Sequence, residues 1–528
     1  MRNRSVFFQM AARVLLGIFP LSVALLPACG GGSTSATPTA APKAVVKGRV
    51  LDTQDGTPIA GATVTSGSTS TTSGSDGAYT LNNVEAATRV VLTAQANNYT
   101  ETIKVTSTQE NTSTTLDVKL LKIASTSSIA QSTGGVASVP GSVAQVSFPA
   151  DFAVLPSGAA PSGSVTVSLT PIAPATDSSL MPGEYTTATG SGTANIESFG
   201  ALAVSLTDST GARLNLAPAK KATIRIPIST RSSGTALPST IPLFYVSEQT
   251  GRWVEEGQAT LLGTAPNQYY EGEVSHFSTW NADQVVDSVV VTGCVEDENN
   301  RAASGVTILS DGITYSGTSS ATTDALGNFQ IRIKKSGSAT LGGFLENKVT
   351  NEITSGPRDT DFVETTCLTL ATLANSIKIK LTWGEAPDDL DSYLTLPNGS
   401  VISYHGKGNL LAEPFVNLDV DDTNSFGPEI VTVRKLMVGT YSYAVRNFSG
   451  THTPDTTLSP AKVELTASGN TSLYAPPPGE ATSGKTVWTV FNLVVAANCS
   501  VVVTPVNTWS LTEPSAGTSS TPVYCVAP

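Results

Sequence analysis

The sequence predicts an all-β protein made of tandem β-sandwich modules on a flexible tether. Val165, Val167 and Leu169 alternate with Ser and Thr, and the same period of two recurs at 224–228 and 377–383. Alternation of this kind is typical of strands with one buried face and one solvent-exposed face. Gly, Asn, Asp and Ser separate the short segments, as sandwiches require. A length of 528 residues predicts three or four domains.

Composition and charge argue against two classes of function. Asp+Glu is 42 against 30 Lys+Arg, so the net charge is −12 and the isoelectric point is about 4.8. So acidic a chain repels phosphate backbones, and no nucleic-acid partner is expected. Only three His and five Cys occur. These residues are the commonest general bases, nucleophiles and transition-metal ligands, so the protein is not expected to be an enzyme.

The N-terminal segment predicts export. Arg2, Arg4 and Arg13 accompany an apolar run at 14–26 that is shorter than a membrane span. The run ends in Leu-Pro-Ala-Cys at 26–29, which resembles the lipobox of bacterial lipoproteins. The resemblance implies a signal peptide at 1–28, acylation (palmitate) of Cys29, and sorting to the outer membrane because residue 30 is not Asp. An ordinary signal peptide and a buried N-terminal helix are the alternatives. Residues 29–43 form a Gly/Ser/Thr-rich linker that holds the first module off the lipid.

The remaining cysteines are even in number, as expected for disulfides in an oxidising compartment. Three pairings are possible, and proximity in sequence favours Cys294–Cys367 and Cys499–Cys525. Loops of this length stabilise a fold by roughly 3.5 to 4.5 kcal/mol each in the chain-entropy model.

Two of four expected modules, at 44–122 and 287–374, repeat one order of motifs. In each, an opening strand is followed by a Gly-bracketed strand and by an Asp/Gly turn into an aromatic-bearing strand, at 46–50, 58–64 and 72–79 and again at 291–295, 303–308 and 323–329. This order resembles the carboxypeptidase regulatory-like domain. The resemblance implies a small, non-catalytic, transthyretin-like (Ig-like) sandwich, grouped with carbohydrate-binding-like folds.

The module expected at 123–283 contains the stretches 200–206, 241–257 and 274–280. They resemble the β-sandwich modules of cartilage intermediate layer protein and, more distantly, those of ankyrins and netrin receptors, which implies a rigid interaction platform. His276 is interpreted as a packed turn residue rather than a catalytic base. Trp253 and Trp280 are interpreted as core residues, with sugar stacking as the alternative.

The module expected at 375–528 contains the only concentrated chemistry. Its motifs at 383–394, 404–408, 418–429 and 439–445 resemble the YfaP-like family of exported β-sandwich proteins, although Tyr393 stands where that family usually has His. Seven carboxylates cluster here: Asp388, Asp389, Asp391, Asp419, Asp421, Asp422 and Glu429. Hard oxygen ligands suit a structural Ca²⁺, and capping of turns by Asp side chains is the alternative.

The strand period limits how many of these carboxylates can converge. Asp419 and Asp421 are expected on one face of a strand and Asp422 on the other. The spacing of an EF-hand is absent.

Together these features predict a lipid-anchored cell-envelope protein whose modules act as a stalk and as an adhesion or scaffold surface. It would face the periplasm or the cell surface and bind an envelope protein or a polysaccharide. The first alternative is a carbohydrate-binding surface protein that helps to capture polysaccharides. The second is a cryptic hydrolase in the last module.

Overall fold

A computed structural model describes residues 42–526 except 191, 233–235, 347, 373–375, 450–455, 457–458, 469 and 479–484. The predicted signal peptide, Cys29 and most of the predicted linker lie outside the described residues. The prediction of an all-β fold is confirmed, since a 3₁₀ turn at Ser178–Leu180 is the one helical element in this part of the chain. Within the same residues, no helix has the length and hydropathy needed to cross a membrane.

The first set of strands forms two facing four-stranded sheets, ordered β4-β1-β7 with β8 also beside β1, and β3-β2-β5-β6. Alternate residues such as Val46, Val64, Leu81 and Leu92 fill the space between the sheets. We call this set the first module: β1 Lys43–Asp52, β2 Thr63–Ser66, β3 Thr69–Thr72, β4 Ala78–Glu85, β5 Val90–Gln95, β6 Thr102–Thr106, β7 Ser113–Thr115 and β8 Val118–Leu120.

The second module consists of one eleven-stranded sheet and a two-stranded sheet, β12-β16. The large sheet has the order β10-β11-β17-β20-β19-β18-β21-β15-β13-β9, with β14 beside β15 and β19. Its core contains Phe152, Tyr270 and Trp280. The strands are β9 Ser125–Ile129, β10 Gly135–Ser138, β11 Gln145–Phe148, β12 Ala153–Val154, β13 Val165–Ile172, β14 Thr186–Thr189, β15 Gly192–Thr207, β16 Asn215–Leu216, β17 Ala222–Pro227, β18 Thr240–Val246, β19 Trp253–Leu262, β20 Tyr269–Val274 and β21 Thr279–Val285.

The third module forms a nine-stranded sheet with the order β24-β23-β26-β27-β30-β22-β25, to which β28 and β29 add. Its strands are β22 Ser288–Asp297, β23 Thr307–Gly312, β24 Thr318–Thr322, β25 Asn328–Lys334, β26 Ala339–Leu345, β27 Lys348–Thr350, β28 Ile353–Ser355, β29 Phe362–Val363 and β30 Leu368–Thr372.

The first and third modules repeat one topology. In each, the opening strand pairs antiparallel with the aromatic-bearing strand and parallel with two later strands. The turn before the aromatic-bearing strand uses the same bonds: Ser73 Oγ donates to a carbonyl and accepts an amide N–H, and so does Thr323 Oγ1. The internal repeat therefore extends from sequence motifs to individual hydrogen bonds.

The fourth module is a sandwich of a six-stranded sheet, β34-β35-β36-β31-β38-β39, and a five-stranded sheet, β33-β32-β37-β40-β41. Trp383, Trp488 and Phe491 pack between the sheets. The strands are β31 Ile377–Thr382, β32 Leu390–Thr395, β33 Val401–Ile402, β34 Gly408–Asn409, β35 Val416–Val420, β36 Glu429–Val433, β37 Gly439–Asn447, β38 Lys462–Ala467, β39 Asn470–Tyr474, β40 Val487–Val495 and β41 Val501–Ser510.

Both disulfides have the predicted pairing. Cys294 on β22 is joined to Cys367, immediately before β30, over a sequence separation of 73. Cys499 and Cys525 are joined over a separation of 26. The first ties two parallel neighbours of the third module, and the second holds the C-terminal segment against the turn between β40 and β41.

The four modules close on one another, whereas the sequence predicts tandem modules that act as a stalk and as an interaction surface. The ion pair between Lys119 and Glu464 joins the first module to the fourth, and Lys462 Nζ donates to the carbonyl of Thr53. The ion pair between Lys378 and Glu352 joins the fourth to the third. These contacts lie around a cavity of about 250 Å³ lined by residues of all four modules, which we call the junction.

Asp311 connects three modules at the edge of the junction. Its carboxylate accepts from Arg231 Nη1 of the second module at 3.1 Å and from Lys380 Nζ of the fourth at 3.0 Å. Lys334 and Glu197, 2.7 Å apart, add a further ion pair between the second and third modules. Charged side chains are therefore partly buried between modules, and the neighbouring module supplies the opposite charge.

Candidate cation site

Three carboxylates converge at one edge of the fourth module. Asp391 lies on β32, Asp421 follows β35, and Glu429 begins β36. One oxygen of each lies within 4.8 Å of the others. The side chains of Asp391 and Glu429 are almost fully buried, at 3% and 1% exposure. We call these three residues the acidic triad.

The path of the chain explains why Glu429 reaches β32. β33 pairs with β32 only at Leu394 and Thr395, so the preceding residues lack a neighbouring strand on that side. The amide of Ser392 donates there to Glu429 Oε2. The Glu429 carboxylate, from the six-stranded sheet, thus accepts a backbone hydrogen bond that a neighbouring strand of the five-stranded sheet would otherwise accept.

Gly427 allows the loop between β35 and β36 to approach the core. Its φ is +72°, and a Cβ at this position would lie 2.6 Å from the ring of Trp383. Only glycine adopts this conformation without strain while leaving room for the indole. The loop therefore passes close to Trp383 and delivers Asp421 and Glu429 to the same edge of the sandwich.

Five carboxylate oxygens around the triad are buried without a hydrogen-bond partner among the described residues: Asp389 Oδ1, Asp391 Oδ2, Asp421 Oδ1, Asp422 Oδ2 and Glu429 Oε1. Buried polar atoms are normally satisfied, so five such atoms in one region are exceptional. Each belongs to an acid that the sequence analysis selected as a candidate ligand.

The electrostatics of the region disfavour ionised carboxylates. Burial, followed by repulsion from Asp389, raises the pKa of Asp391 to about 7. Burial raises the pKa of Glu429 well above its ordinary value, and Asp391 and Asp421 add to the effect. Burial also raises the pKa of Asp422 to about 6. Burial therefore favours the protonated form of these carboxylates.

Two basic side chains lie near the triad. Lys407 Nζ is 2.8 Å from Asp421 Oδ2, but its side chain is 51% exposed. Arg446 faces Asp391 across the β32–β37 ladder, although its Nη1 pairs with Glu513 at 2.7 Å. Arg446 and Glu513 were not among the predicted site residues, because only the strand register brings them to this edge.

Four of the seven predicted ligands lie outside the triad, namely Asp388, Asp389, Asp419 and Asp422. Asp388 is exposed. Asp419 is turned toward the third module, where its carboxylate accepts from Thr432, Asn417 and the amide of Glu352. The expectation that Asp419 and Asp421 share a strand face is wrong, because a bulge between Leu418 and Val420 shifts the register and β35 ends at Val420.

Tyr393, which stands where the YfaP-like resemblance leads us to expect His, has a different role from ligation. Its hydroxyl donates to Glu513 at 2.6 Å, and its ring packs edge-on to Tyr404. It supports the outer face of β32 beside Asp391.

The candidate aromatic residues of the second module are packing residues, as the sequence interpretation favoured. Trp253 and Trp280 are 1% and 0% exposed, so neither ring is available to stack on a sugar. His276 packs between Tyr245 and Trp280, with ring centroids 4.5 and 5.0 Å away.

Comparisons with known proteins bear mainly on the first module. No curated protein matches the chain. Among solved structures, the Bacillus anthracis TIE protein is 12% identical with a TM-score of 0.14, covering 62% of this chain and 51% of its own. A streptococcal ancillary pilin is 8% identical with a TM-score of 0.14, covering 40% and 84%. BcpA, the major pilin subunit of Bacillus cereus, is 9% identical with a TM-score of 0.13, covering 61% and 98%.

Scores this low carry no argument about function, and the chain spans about half the length of the TIE protein. Residues 45–121, in contrast, match the model of the carboxypeptidase regulatory-like domain. The resemblance drawn from the sequence is confirmed there, because the first module matches this family model over nearly its whole length.

Proposed function

We propose that this protein is a non-enzymatic, lipid-anchored protein of the bacterial outer membrane whose four sandwiches act together as a rigid adhesion or scaffold unit. Its all-β fold and its non-catalytic regulatory-like domain are compatible with a structural or adhesion role. The two disulfides indicate an extracytoplasmic protein.

The junction is the observation that carries the proposal. Ion pairs across the junction connect the first module to the fourth, the fourth to the third and the third to the second. Arg89 and Glu184 close the remaining contact between the first and second modules. An arrangement closed in this way cannot bend at one linker without breaking contacts at another. It presents the outer loops of all four modules in fixed relative positions, which suits a scaffold or an adhesive surface.

Resemblances to known families support the anchor and the roles of the second, third and fourth modules. The lipobox supplies an anchor at Cys29, and the third module is a second regulatory-like copy. The second module is an interaction platform like those of cartilage intermediate layer protein, and the fourth is YfaP-like. The partner is an envelope protein or an envelope polysaccharide, and the net charge of −12 disfavours nucleic acid.

Labelling with a radioactive fatty acid tests the anchor. We expect the wild-type chain to incorporate label and to fractionate with the outer membrane, and Cys29→Ala to do neither. The double variant Cys294→Ser/Cys367→Ser is the matched control and retains the label. Label on the Cys29→Ala chain would refute a lipid anchor at this residue.

Small-angle scattering tests the rigid unit. A compact chain of about 500 residues has a radius of gyration of roughly 23 Å, and modules arranged in line would give a clearly larger value. We expect the compact value for the wild type and an increase for Glu464→Ala, which unpairs Lys119. Glu273→Ala, which removes an exposed ion pair with Lys221, is the control. A large radius for the wild type would contradict the proposal.

Binding to isolated envelope fractions separates the scaffold from an enzyme. We expect the protein to bind intact envelope polymer or protein without altering it. Release of soluble fragments that increases with time would instead indicate a hydrolase.

A further inference from the structure

We propose that the acidic triad, Asp391, Asp421 and Glu429, binds one Ca²⁺ ion at the edge of the fourth module. Asp389, next to these residues, also has a buried oxygen without a partner among the described residues. This inference goes beyond the proposed function, which requires no ligand in this module.

Each residue of the acidic triad has a buried carboxylate oxygen that lacks a hydrogen-bond partner among the described residues. Asp391 and Glu429 are more than nine-tenths buried. One oxygen of each lies within 4.8 Å of the other triad oxygens. A buried carboxylate without a counter-charge costs several kcal/mol, and proteins avoid this cost by pairing it or by binding a metal ion. At Asp311 and Glu464, in contrast, a lysine or arginine provides the pairing.

The geometry and the chemistry of the donors select calcium. Ca²⁺–oxygen distances are about 2.3–2.6 Å, so ligands on opposite sides of the ion lie about 5 Å apart. The three triad oxygens lie within 4.8 Å of one another and fit around one such ion. Zn²⁺ prefers nitrogen and sulfur donors, whereas the donors here are all oxygens. Mg²⁺ retains several waters and uses one or two carboxylates, and a buried set of three or four suits it poorly.

The position of the site assigns a structural role to the ion. Asp391 belongs to the five-stranded sheet and Glu429 to the six-stranded sheet. The Ser392 amide on β32 donates a hydrogen bond to Glu429 Oε2 on β36, and this bond links the two sheets at this edge. A shared ion would join the two sheets at this open edge and hold the loop that contains Asp421. We therefore expect Ca²⁺ to stabilise the fourth module.

Shared protons are the competing explanation. Carboxylic acids that hydrogen-bond one another need no metal, and Lys407 already approaches Asp421. The two explanations predict different amounts of bound Ca²⁺ per chain. Shared protons predict none after dialysis, and a metal site predicts one.

Equilibrium dialysis with radioactive Ca²⁺ on the full chain in detergent at about pH 7.5, combined with thermal unfolding in Ca²⁺ and in EDTA, tests the proposal. We expect one ion per chain and an unfolding midpoint several degrees higher in Ca²⁺. Asp391→Asn and Glu429→Gln should each weaken binding at least tenfold and remove the shift of the midpoint. Asp388→Asn and Asp419→Asn, which alter acids outside the triad, should bind like the wild type.

Two results would overturn the proposal. One is a wild-type chain that binds no stoichiometric Ca²⁺ and has the same midpoint in EDTA. The other is tenfold weaker binding in Asp419→Asn but not in Asp391→Asn, which would place the ion elsewhere. Circular dichroism in EDTA establishes that each variant folds. If either triad variant fails to fold, Asp421→Asn replaces it, and the wild-type measurement alone still decides whether an ion binds.

Discussion

The junction and the acidic triad both enclose acidic side chains, partly in the junction and almost fully in the triad, but they neutralise them differently. In the junction, Glu464, Glu352 and Asp311 each contact a lysine from another module. Burial alone would raise the pKa of Asp311, but Lys380 and Arg231 lower it below the ordinary value. In the triad, burial and neighbouring acids act together, and the pKa of Asp391 rises to about 7.

This difference indicates where the counter-charge comes from. Modules that must stay together supply opposite charges to one another, so the junction is complete within the chain. The triad lies within one module and lacks an equivalent buried cation among the described residues. Lys407 and Arg446 lie nearby but are partly exposed, so we expect most of the counter-charge to come from solution, as protons or as a metal ion.

Asp311→Ala should have the largest effect, because it leaves Lys380 and Arg231 buried without their shared acid. We expect a loss of about 3–5 kcal/mol in the free energy of unfolding. Urea denaturation, followed by fluorescence and by scattering, measures the loss and the separation of modules. Glu273→Ala should cost less than about 1 kcal/mol, because its partner Lys221 is 62% exposed. Equal effects for the two variants would contradict the view that the junction holds the modules together.

Asp391→Asn should have an effect that changes sign with calcium. In EDTA near pH 8, the amide removes a buried, repelled charge and should stabilise the chain by on the order of 2 kcal/mol. In saturating Ca²⁺, the variant should be less stable than the wild type because it lacks a ligand. Thermal unfolding in both buffers measures the reversal. A variant that is less stable in both buffers would show that Asp391 has a counter-charge within the protein.

Lys104 provides an intermediate case, since it is a cation held mainly by backbone carbonyls. Its Nζ donates to the carbonyls of Ser179 at 2.5 Å and Met181 at 3.1 Å. Burial lowers its pKa from 10.5 to about 8, with Lys119 adding to the decrease and Asp177 opposing it.

Because the folded pKa lies below the unfolded value, the unfolded chain binds more protons between about pH 8 and 10.5, and stability rises with pH there. The wild type should gain less than about 1.4 kcal/mol relative to Lys104→Met between about pH 7.5 and 9.5, because Lys104 is partly exposed. Urea denaturation at both pH values measures this gain. Parallel pH profiles would show that the lysine carries no such penalty.

Lys407→Met should have the smallest effect. This lysine competes with a metal ion for Asp421, but it is half-exposed and screened by solvent. We expect Ca²⁺ to bind about two- to fivefold more tightly to the variant, with the larger ratio at low salt. Isothermal titration calorimetry measures the ratio. Weaker binding in the variant would show that Lys407 supports the site.

Local rules were sufficient to predict the fold class, the internal repeat and the disulfide pairs. Alternation of Val, Ile and Leu predicts strands wherever one face is buried. The Asp/Gly turn before Phe329 repeats the one before Tyr79 because both turns need a glycine with positive φ: Gly77 and Gly327 have φ values of +75° and +76°. The closed arrangement of modules could not be predicted in this way. The contact of Lys119 with Glu464 spans 345 positions, and nothing in either neighbourhood identifies the other.

The candidate site was predicted only in part. The acidic composition selected all of the triad, because runs of Asp are visible in the sequence. It could not separate Asp391 from Asp388, which lies three positions earlier and is exposed. Nor could it place Asp419, because the bulge in β35 breaks the period-two rule on which the expectation depended. Register and bulges depend on the partner strand, which local patterns do not identify.

Hydrogen exchange of the full chain, with and without Ca²⁺, tests most directly whether the triad takes its counter-charge from solution while the junction supplies its own. We predict that Ca²⁺ slows amide exchange in β32, in the 421–429 loop and at the start of β36, and leaves the junction strands β8, β31 and β38 unchanged. Exchange that is identical with and without Ca²⁺ throughout the fourth module would contradict this account, as would protection confined to the junction.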